Sequence, residues 1–191
     1  NLTIKSGMTI TGTGNPYLSF FTTTASILKT NGVSLNSVNF YARTGSYTLQ
    51  NNTTFSSFYL YSGTFDADIY DISAYEVKAY SPAILKLGTG TWTITGIANP
   101  WYISGVSVVN AGSSTVKFTG TATYVTFTGG GNSYNKIWFS RGTSATNNTI
   151  QGSNTISELK DDGSVAHSLV FTAGTTQHIT TWSGKGCAGS Q

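Results

Sequence analysis

Short runs of alternating apolar and polar residues recur along the whole chain. They include residues 2–4, 18–20, 38–40, 47–49, 58–60, 92–94, 116–118, 125–127 and 137–139. Alternation with a period of two places successive side chains on opposite sides of a strand, so each run predicts a short β-strand with one buried side. Turn-forming pairs such as Asn31-Gly32, Ser62-Gly63 and Asp162-Gly163 separate the runs. The pattern therefore predicts an all-β protein.

Short sequence motifs that recur along the chain favour one β architecture over the others. Residues 116–120 read Val-Lys-Phe-Thr-Gly, residues 125–129 read Val-Thr-Phe-Thr-Gly, and residues 170–174 read Val-Phe-Thr-Ala-Gly. Such repetition predicts coils of about 20 residues stacked as a parallel β-helix, or β-solenoid. At one strand spacing per coil, about nine coils would make a rod roughly 45 Å long. An antiparallel β-sandwich or jelly roll stays open as the alternative, because strands recurring every ~10 residues fit it too.

One domain is predicted to cover residues 1–191, since a chain of this length is sufficient for a single core. The chain begins at Asn1 without an initiating Met or a leader. We therefore expect a segment or processed product of a longer protein. The only cysteine, Cys187, supplies no disulfide framework, and its role stays open.

The composition agrees with stacked coils. Thr, Ser, Gly and Asn make up close to half of the chain, while charged residues are only 9%, against the ~25% of an ordinary soluble domain. Like charges at equivalent positions of neighbouring strands repel, whereas Thr and Asn can stack and hydrogen-bond. Hydrophobic residues reach 38%, which excludes disorder. No apolar stretch is long enough for a membrane helix, and the scattered lysines predict no nucleic-acid partner.

The stretch from about Asn52 to Thr181 resembles a family of repetitive Gly/Thr/Asn-rich proteins of bacteriophage and environmental viral sequence. The phrases that carry the resemblance are residues 62–67, 87–96, 114–120, 134–140 and 170–177. The resemblance implies a β-solenoid of a virion or cell surface, associated with tail fibres. It also implies surface attachment, a location that is extracellular or on the virion, and no defined chemistry.

Aromatic residues supply the candidate binding positions. Tyr59 and Tyr61 flank Leu60, and Trp138 lies between Ile137 and Phe139. If the aliphatic and Phe side chains point into the core, alternation turns Tyr59, Tyr61 and Trp138 outwards. Exposed Tyr and Trp among Asn, Ser and Thr suit stacking on sugars or docking of a partner subunit.

Carboxylates are the second group of candidates, since glycosidases need a pair of them. Asp66, Asp68 and Asp71 lie close together in the sequence, and Asp66 and Asp68 would share one side of a strand. A solvated turn is the leading interpretation of these three residues. A Ca²⁺ site, which needs six to eight oxygen ligands, and a catalytic pair are the alternatives. Apart from that Ca²⁺ site, we expect no cofactor.

The leading functional hypothesis is a non-enzymatic structural or adhesive solenoid of an extracellular appendage or phage tail fibre. Its partners would be a cell-surface glycan or other subunits, in a trimer or an end-to-end assembly that protects exposed strand edges. The first alternative is a polysaccharide depolymerase that uses Asp66, Asp68 and Asp71. An ice-binding protein is a minor alternative, suggested by the Thr-x-Thr repeats at residues 9–13, 91–95 and 119–123.

Overall fold

The computed structural model describes residues 1–8, 10, 13–14, 16–105, 107–142 and 146–185. These residues form one 17-stranded sheet in which every paired strand is parallel to its neighbours, and they contain no helix. The strands are β1 (Leu2–Thr3), β2 (Tyr17–Lys29), β3 (Asn39–Leu49), β4 (Thr53–Leu60), β5 (Gly63–Asp66), β6 (Ile72–Ala79), β7 (Ala83–Lys86), β8 (Thr91–Ile94), β9 (Ala98–Ile103), β10 (Val108–Asn110), β11 (Thr115–Phe118), β12 (Tyr124–Thr128), β13 (Ser133–Phe139), β14 (Asn147–Gln151), β15 (Thr155–Asp161), β16 (Ser168–Phe171) and β17 (His178–Gly184).

The sheet winds into a β-solenoid of about eight turns, close to the nine expected from the sequence. The prediction of a parallel β-helix is confirmed, and the antiparallel alternative is wrong. The strands stack in three columns, which we call faces A, B and C. Face A stacks parts of β2, β3, β4 and β6 with β9, β12, β14 and β16. Face B stacks β1 and parts of β2 and β3 with β5, β7 and β10. Face C stacks parts of β4 and β6 with β8, β11, β13, β15 and β17.

The core fills the space between the three faces. Because alternate residues of each strand point inwards, equivalent side chains of successive turns stack in columns. On face A, Phe40 pairs with Phe58, and their rings stack with centroids 5.5 Å apart and planes 4° apart. Phe65 on face B and Trp92 on face C close around the Phe58 ring. All four rings are buried, so the aromatic residues at inward positions hold the turns together.

Asparagine side chains satisfy backbone groups where the chain turns between faces. The Asn132 amide oxygen accepts from the Val109 N–H (3.0 Å), and its nitrogen donates to the Gly129 carbonyl (3.1 Å). One turn later, the Asn154 oxygen accepts from the Gly131 N–H (3.2 Å). An amide both donates and accepts without carrying charge, so it can repeat from turn to turn. The scarcity of charge in the sequence follows from this stacking.

The last described turn leaves core-type side chains uncovered. Phe171 pairs with Ile150, and Trp182 pairs with Leu159, which places both rings over the core columns. Phe171 is 38% exposed and Trp182 is 54% exposed, whereas Ile150 and Leu159 one turn below are buried. Within the described residues, no helix is long and apolar enough to cross a membrane.

Candidate functional site

Tyr59 and Tyr61 lie on the outer side of face A. Leu60 between them is fully buried, as alternation predicts, and the two tyrosines are half-buried. Their rings lie side by side, with centroids 6.3 Å apart and planes 19° apart. The structure therefore brings this sequence-predicted pair together on one outward surface.

The pair belongs to a larger set, which we call the tyrosine surface. Residues of successive turns at the same outward position become neighbours, and here Tyr41 pairs with Tyr59. The ring centroids of Tyr41 and Tyr59 are 4.8 Å apart, and those of Tyr61 and Tyr80 are 5.2 Å apart. The full set is Tyr17, Tyr41, Tyr59, Tyr61, Tyr80 and Tyr102. Sequence reasoning missed four of the six, because only the length of each turn shows which distant tyrosines align.

Neighbouring rings of the tyrosine surface contact one another from turn to turn. Tyr61 and Tyr80, from successive turns, stack with planes only 15° apart. Rings that stack from turn to turn cover each other's faces and direct their edges away from the core. In the described part of the chain, the hydroxyls of Tyr61, Tyr80 and Tyr102 make no hydrogen bond with the protein. The surface thus offers a row of phenol hydroxyls as donors and acceptors.

Charged side chains lie against these rings. The Arg43 guanidinium is 4.5 Å from the centroid of the Tyr61 ring, a distance at which a cation is attracted to the ring face. Lys78 forms an ion pair with Glu76 (2.7 Å) and lies 5.7 Å from the Tyr59 ring centroid. The Tyr59 hydroxyl donates to Glu76, and burial together with this carboxylate raises the pKa of Tyr59. These contacts fix Tyr59, while Tyr61 keeps a free hydroxyl.

Trp138 also points outwards, but from face C, and its ring is covered. Lys117 of the turn below lies with Nζ 3.9 Å from the indole centroid, and Lys160 of the turn above lies at 4.1 Å. The indole N–H donates to Asp162 Oδ1 (2.6 Å). The prediction of an outward Trp138 agrees with the structure. Its ring is nevertheless engaged by two ammonium groups and a carboxylate, which compete with any sugar or partner that would stack there.

Asp162 joins Trp138 and Lys160. Burial alone would raise the pKa of Asp162, but the hydrogen bonds from Trp138 and Lys160 outweigh burial and lower the pKa. Lys160 Nζ lies 2.9 Å from Asp162 Oδ2. The carboxylate thus fixes the indole and one of the two cations that cover it.

The three aspartates proposed as a Ca²⁺ site do not form one. Asp66 bonds to Lys86 Nζ (3.1 Å) on the next turn of face B and accepts from the Asp68 N–H (3.0 Å). Asp68 lies in a turn with φ of 54°, and Asp71 accepts from the Thr91 N–H (2.7 Å) at the next corner. Among the described residues, no group of three or more His, Cys, Asp or Glu side chains could hold a metal ion. The solvated turn stays the leading interpretation, and the carboxylates of Asp66 and Asp71 each bond to the turn that follows.

The central threonine of the second Thr-x-Thr repeat, Thr93, has no threonine neighbour on face C. On face C, the neighbours of Thr93 in the turns below and above are Ser73 and Lys117. Residues 119–123 follow the end of β11 and form the corner before β12. Thr9 and Thr11 of the first repeat lie outside the described residues, as does Cys187.

A buried polar cluster at the corner after face C was not expected. Arg141 is 1% exposed and donates to the Gly120 carbonyl (3.1 Å) and to Asn148 Oδ1 (2.7 Å). Burial lowers the pKa of Arg141, and the nearby Asp161 opposes this effect. Asp161 in turn contacts His167 Nε2 (2.7 Å). Because these groups bond backbone and one another beneath the surface, they brace the corner.

Comparison of the chain with models of known protein families, with curated proteins and with solved structures gave no match. The function is therefore inferred from the geometry of the described residues.

Proposed function

We propose that this chain is a non-enzymatic adhesive β-solenoid of an extracellular appendage or phage tail fibre, which attaches to surface glycans through the tyrosine surface. The observation that carries the proposal is the continuous row of outward tyrosines, from Tyr17 to Tyr102, along face A. Tyrosine gives a large amphipathic contact area at a low cost in side-chain entropy.

The rigidity of the solenoid supports this role. Tyr41 and Tyr59 stand on paired strands whose inward neighbours, Ala42 and Leu60, are fully buried. The spacing of the rings is thus fixed before any ligand arrives, which reduces the ordering cost of binding. Free hydroxyls at Tyr61, Tyr80 and Tyr102 supply hydrogen-bonding groups beside the ring carbons, and sugars also combine hydroxyl groups with apolar C–H groups.

The depolymerase alternative draws less support. It requires two carboxylates placed on either side of a glycosidic bond. The aspartates that suggested it bond separately: Asp66 to Lys86, and Asp71 to the Thr91 N–H.

Assembly with further subunits is the second part of the proposal. The outer edges of β16 and β17 pair with no other strand of the described chain, and Trp182 lies over the core beside them. A strand of another copy could add to such an edge. Mass photometry over a range of concentrations tests this part: we expect oligomers, and a monomer at every concentration would contradict it.

Glycan-array binding tests the adhesive role. We expect the wild-type chain to bind a subset of surface glycans, and the Tyr41→Ala/Tyr61→Ala variant to lose that binding. The matched control is Tyr124→Ala, an exposed tyrosine outside the surface. Binding that survives the double substitution would contradict the proposed surface, and a wild-type chain that binds no glycan would contradict the adhesive role.

A further inference from the structure

The strand that carries Tyr102 contains a bulge. Between the pairs Ala98–Val125 and Trp101–Phe127, β9 has one residue more than β12, so its register shifts. Ala98 begins the bulge with φ of 60°, a left-handed conformation that costs free energy for any residue other than glycine. Bulges re-aim side chains and occur often beside functional sites, and unfavourable conformations persist where the surrounding structure holds them.

Side-chain hydrogen bonds hold the bulge in place. The Asn99 amide hydrogen-bonds to the Thr128 hydroxyl (3.1 Å). In the orientation that satisfies both amide atoms, its nitrogen faces the carbonyls of Trp101 (2.9 Å) and Thr126 (3.1 Å). The bulge is therefore a fixed part of face A.

The bulge forms one wall of a groove at the upper end of the tyrosine surface. Ile97, just before the bulge, is 51% exposed. The groove is lined by Glu76, Lys78, Tyr80, Ile97, Ala98, Asn99 and Tyr102. It thus combines one aliphatic wall, two tyrosine rings and an ion pair.

The two tyrosine rings of the groove do not cover each other. Tyr80 and Tyr102 have centroids 6.0 Å apart and planes tilted by 47°, whereas Tyr61 and Tyr80 are within 15° of parallel. Because of the tilt, the Tyr80 ring does not lie flat on that of Tyr102, which lines the groove together with Ile97. Pyranose rings bind through apolar C–H contact with such a face, combined with hydrogen bonds at its rim.

The charges of the groove select the class of ligand. Glu76 and Lys78 form an ion pair (2.7 Å), so their charges cancel and no unpaired cation faces the groove. An anionic sugar such as a uronate would gain no counter-charge here. A neutral sugar can use the remaining donor and acceptor capacity of the pair and the hydroxyls of Tyr80 and Tyr102.

We infer that this groove is the subsite that recognises a neutral pyranose unit, and that the rest of the tyrosine surface contacts the continuing glycan chain. The inference rests on the proposed adhesive function and adds the position and the charge class of the recognised sugar. Tyr102 and Ile97 contact the sugar ring, the Glu76–Lys78 pair bonds its hydroxyls, and Asn99 is a positioning residue that holds the bulge.

Methyl NMR of the full chain labelled at isoleucine tests the subsite. The probes are hexasaccharides of β-1,4-linked glucose, α-1,4-linked glucose and β-1,4-linked N-acetylglucosamine, with hexagalacturonate as the acidic counterpart. We expect at least one neutral probe to shift the Ile97 methyl resonance at millimolar concentration while hexagalacturonate does not. Ile84, exposed on face B, is the control and keeps its position.

Two variants separate failure of the subsite from failure of the adhesive function. Tyr102→Ala should weaken the Ile97-detected binding at least about tenfold, the loss typical of an aromatic anchor, and Tyr124→Ala should leave it unchanged. If glycans bind the array through Tyr41 and Tyr61 while the Ile97 resonance stays fixed, the subsite is overturned and the adhesive function stands. A preference for hexagalacturonate at Ile97 would overturn the neutral class, and no effect of any probe together with no array binding would overturn both.

Discussion

Two aromatic regions of the solenoid point outwards because of the same alternation of side chains. They differ in whether their polar groups already have a protein partner. On face A, Tyr61 and Tyr80 stack on each other and leave their hydroxyls free. On face C, Trp138 lies between the ammonium groups of Lys117 and Lys160 and donates to Asp162. Alternation thus predicts that a ring points outwards, but the residues one turn above and below decide whether the ring can bind anything else.

The difference separates a binding role from a stabilising role. Aromatic neighbours in successive turns extend the tyrosine surface, even though Arg43 and Lys78 also lie against its rings. Cationic neighbours cover the Trp138 ring, because an indole face attracts an ammonium group strongly. This separation of the two roles is open to direct experimental test.

The largest effect should come from removing the two rings of the groove. Tyr80→Ala/Tyr102→Ala should weaken binding to an array-positive neutral glycan roughly hundredfold, about 3 kcal/mol, because two aromatic anchors are lost. Isothermal titration calorimetry measures the change in Kd. Trp138→Ala is the matched control and should leave the Kd unchanged. If Trp138→Ala weakens binding as much as the tyrosine double substitution, the separation of roles is wrong.

Folding stability should depend more on Trp138 than on Tyr61. Trp138→Ala should lower the free energy of unfolding by about 2 kcal/mol, through loss of two cation–ring contacts and a hydrogen bond to a carboxylate. Tyr61→Ala should cost less, about 1 kcal/mol, since its half-buried ring has a cation contact with Arg43 but its hydroxyl is unbonded. Urea unfolding followed by circular dichroism compares the two variants. Equal losses would show that the tyrosine surface is as structural as Trp138.

A finer contrast lies within one turn of the tyrosine surface. Tyr59→Phe should cost about 1.5 kcal/mol of stability, because it removes the hydroxyl that donates to Glu76. Tyr61→Phe should change stability by less than about 0.5 kcal/mol, as expected for a surface hydroxyl without a protein partner. The same unfolding measurement applies, and a larger cost for Tyr61→Phe would mean that its hydroxyl is engaged.

The smallest effect concerns acid pH on face C. Because the pKa of Asp162 is lowered from its usual 3.8, its contribution is complete above that value and is lost as the pH falls through the lower, folded-state pKa. We expect less than about 1 kcal/mol, typical of a partly exposed pair. Tryptophan fluorescence should change on acidification below pH 3.8 in the wild type and lack this step in Asp162→Asn. A step of the same size in both proteins would show that the fluorescence change does not come from Asp162.

Sequence patterns predicted the architecture and the direction of individual side chains. Leu60 is buried between Tyr59 and Tyr61, and Phe139 is buried beside Trp138, as alternation requires. The repeated phrases indicated stacked coils but not their register. Val116 and Val125 begin similar phrases yet lie on faces C and A of one turn.

What the sequence could not predict depends on register between distant residues. Tyr41, Tyr59 and Tyr102 align only when the length of each intervening turn is known, and these lengths vary. The contact of Lys117 with Trp138 could not be predicted for the same reason, since it depends on the register between two turns. The aspartates show the opposite case, since Asp66 and Asp71 are close in sequence but each bonds to the following turn.

Fluorine NMR gives the most direct test of the separation between the two aromatic regions. The chain would carry 3-fluorotyrosine and 5-fluorotryptophan, with resonances assigned by single substitution, and would be titrated with an array-positive neutral glycan. We predict that the resonances of Tyr61, Tyr80 and Tyr102 shift while that of Trp138 stays fixed. A shift of Trp138 with unmoved tyrosine resonances would contradict the account.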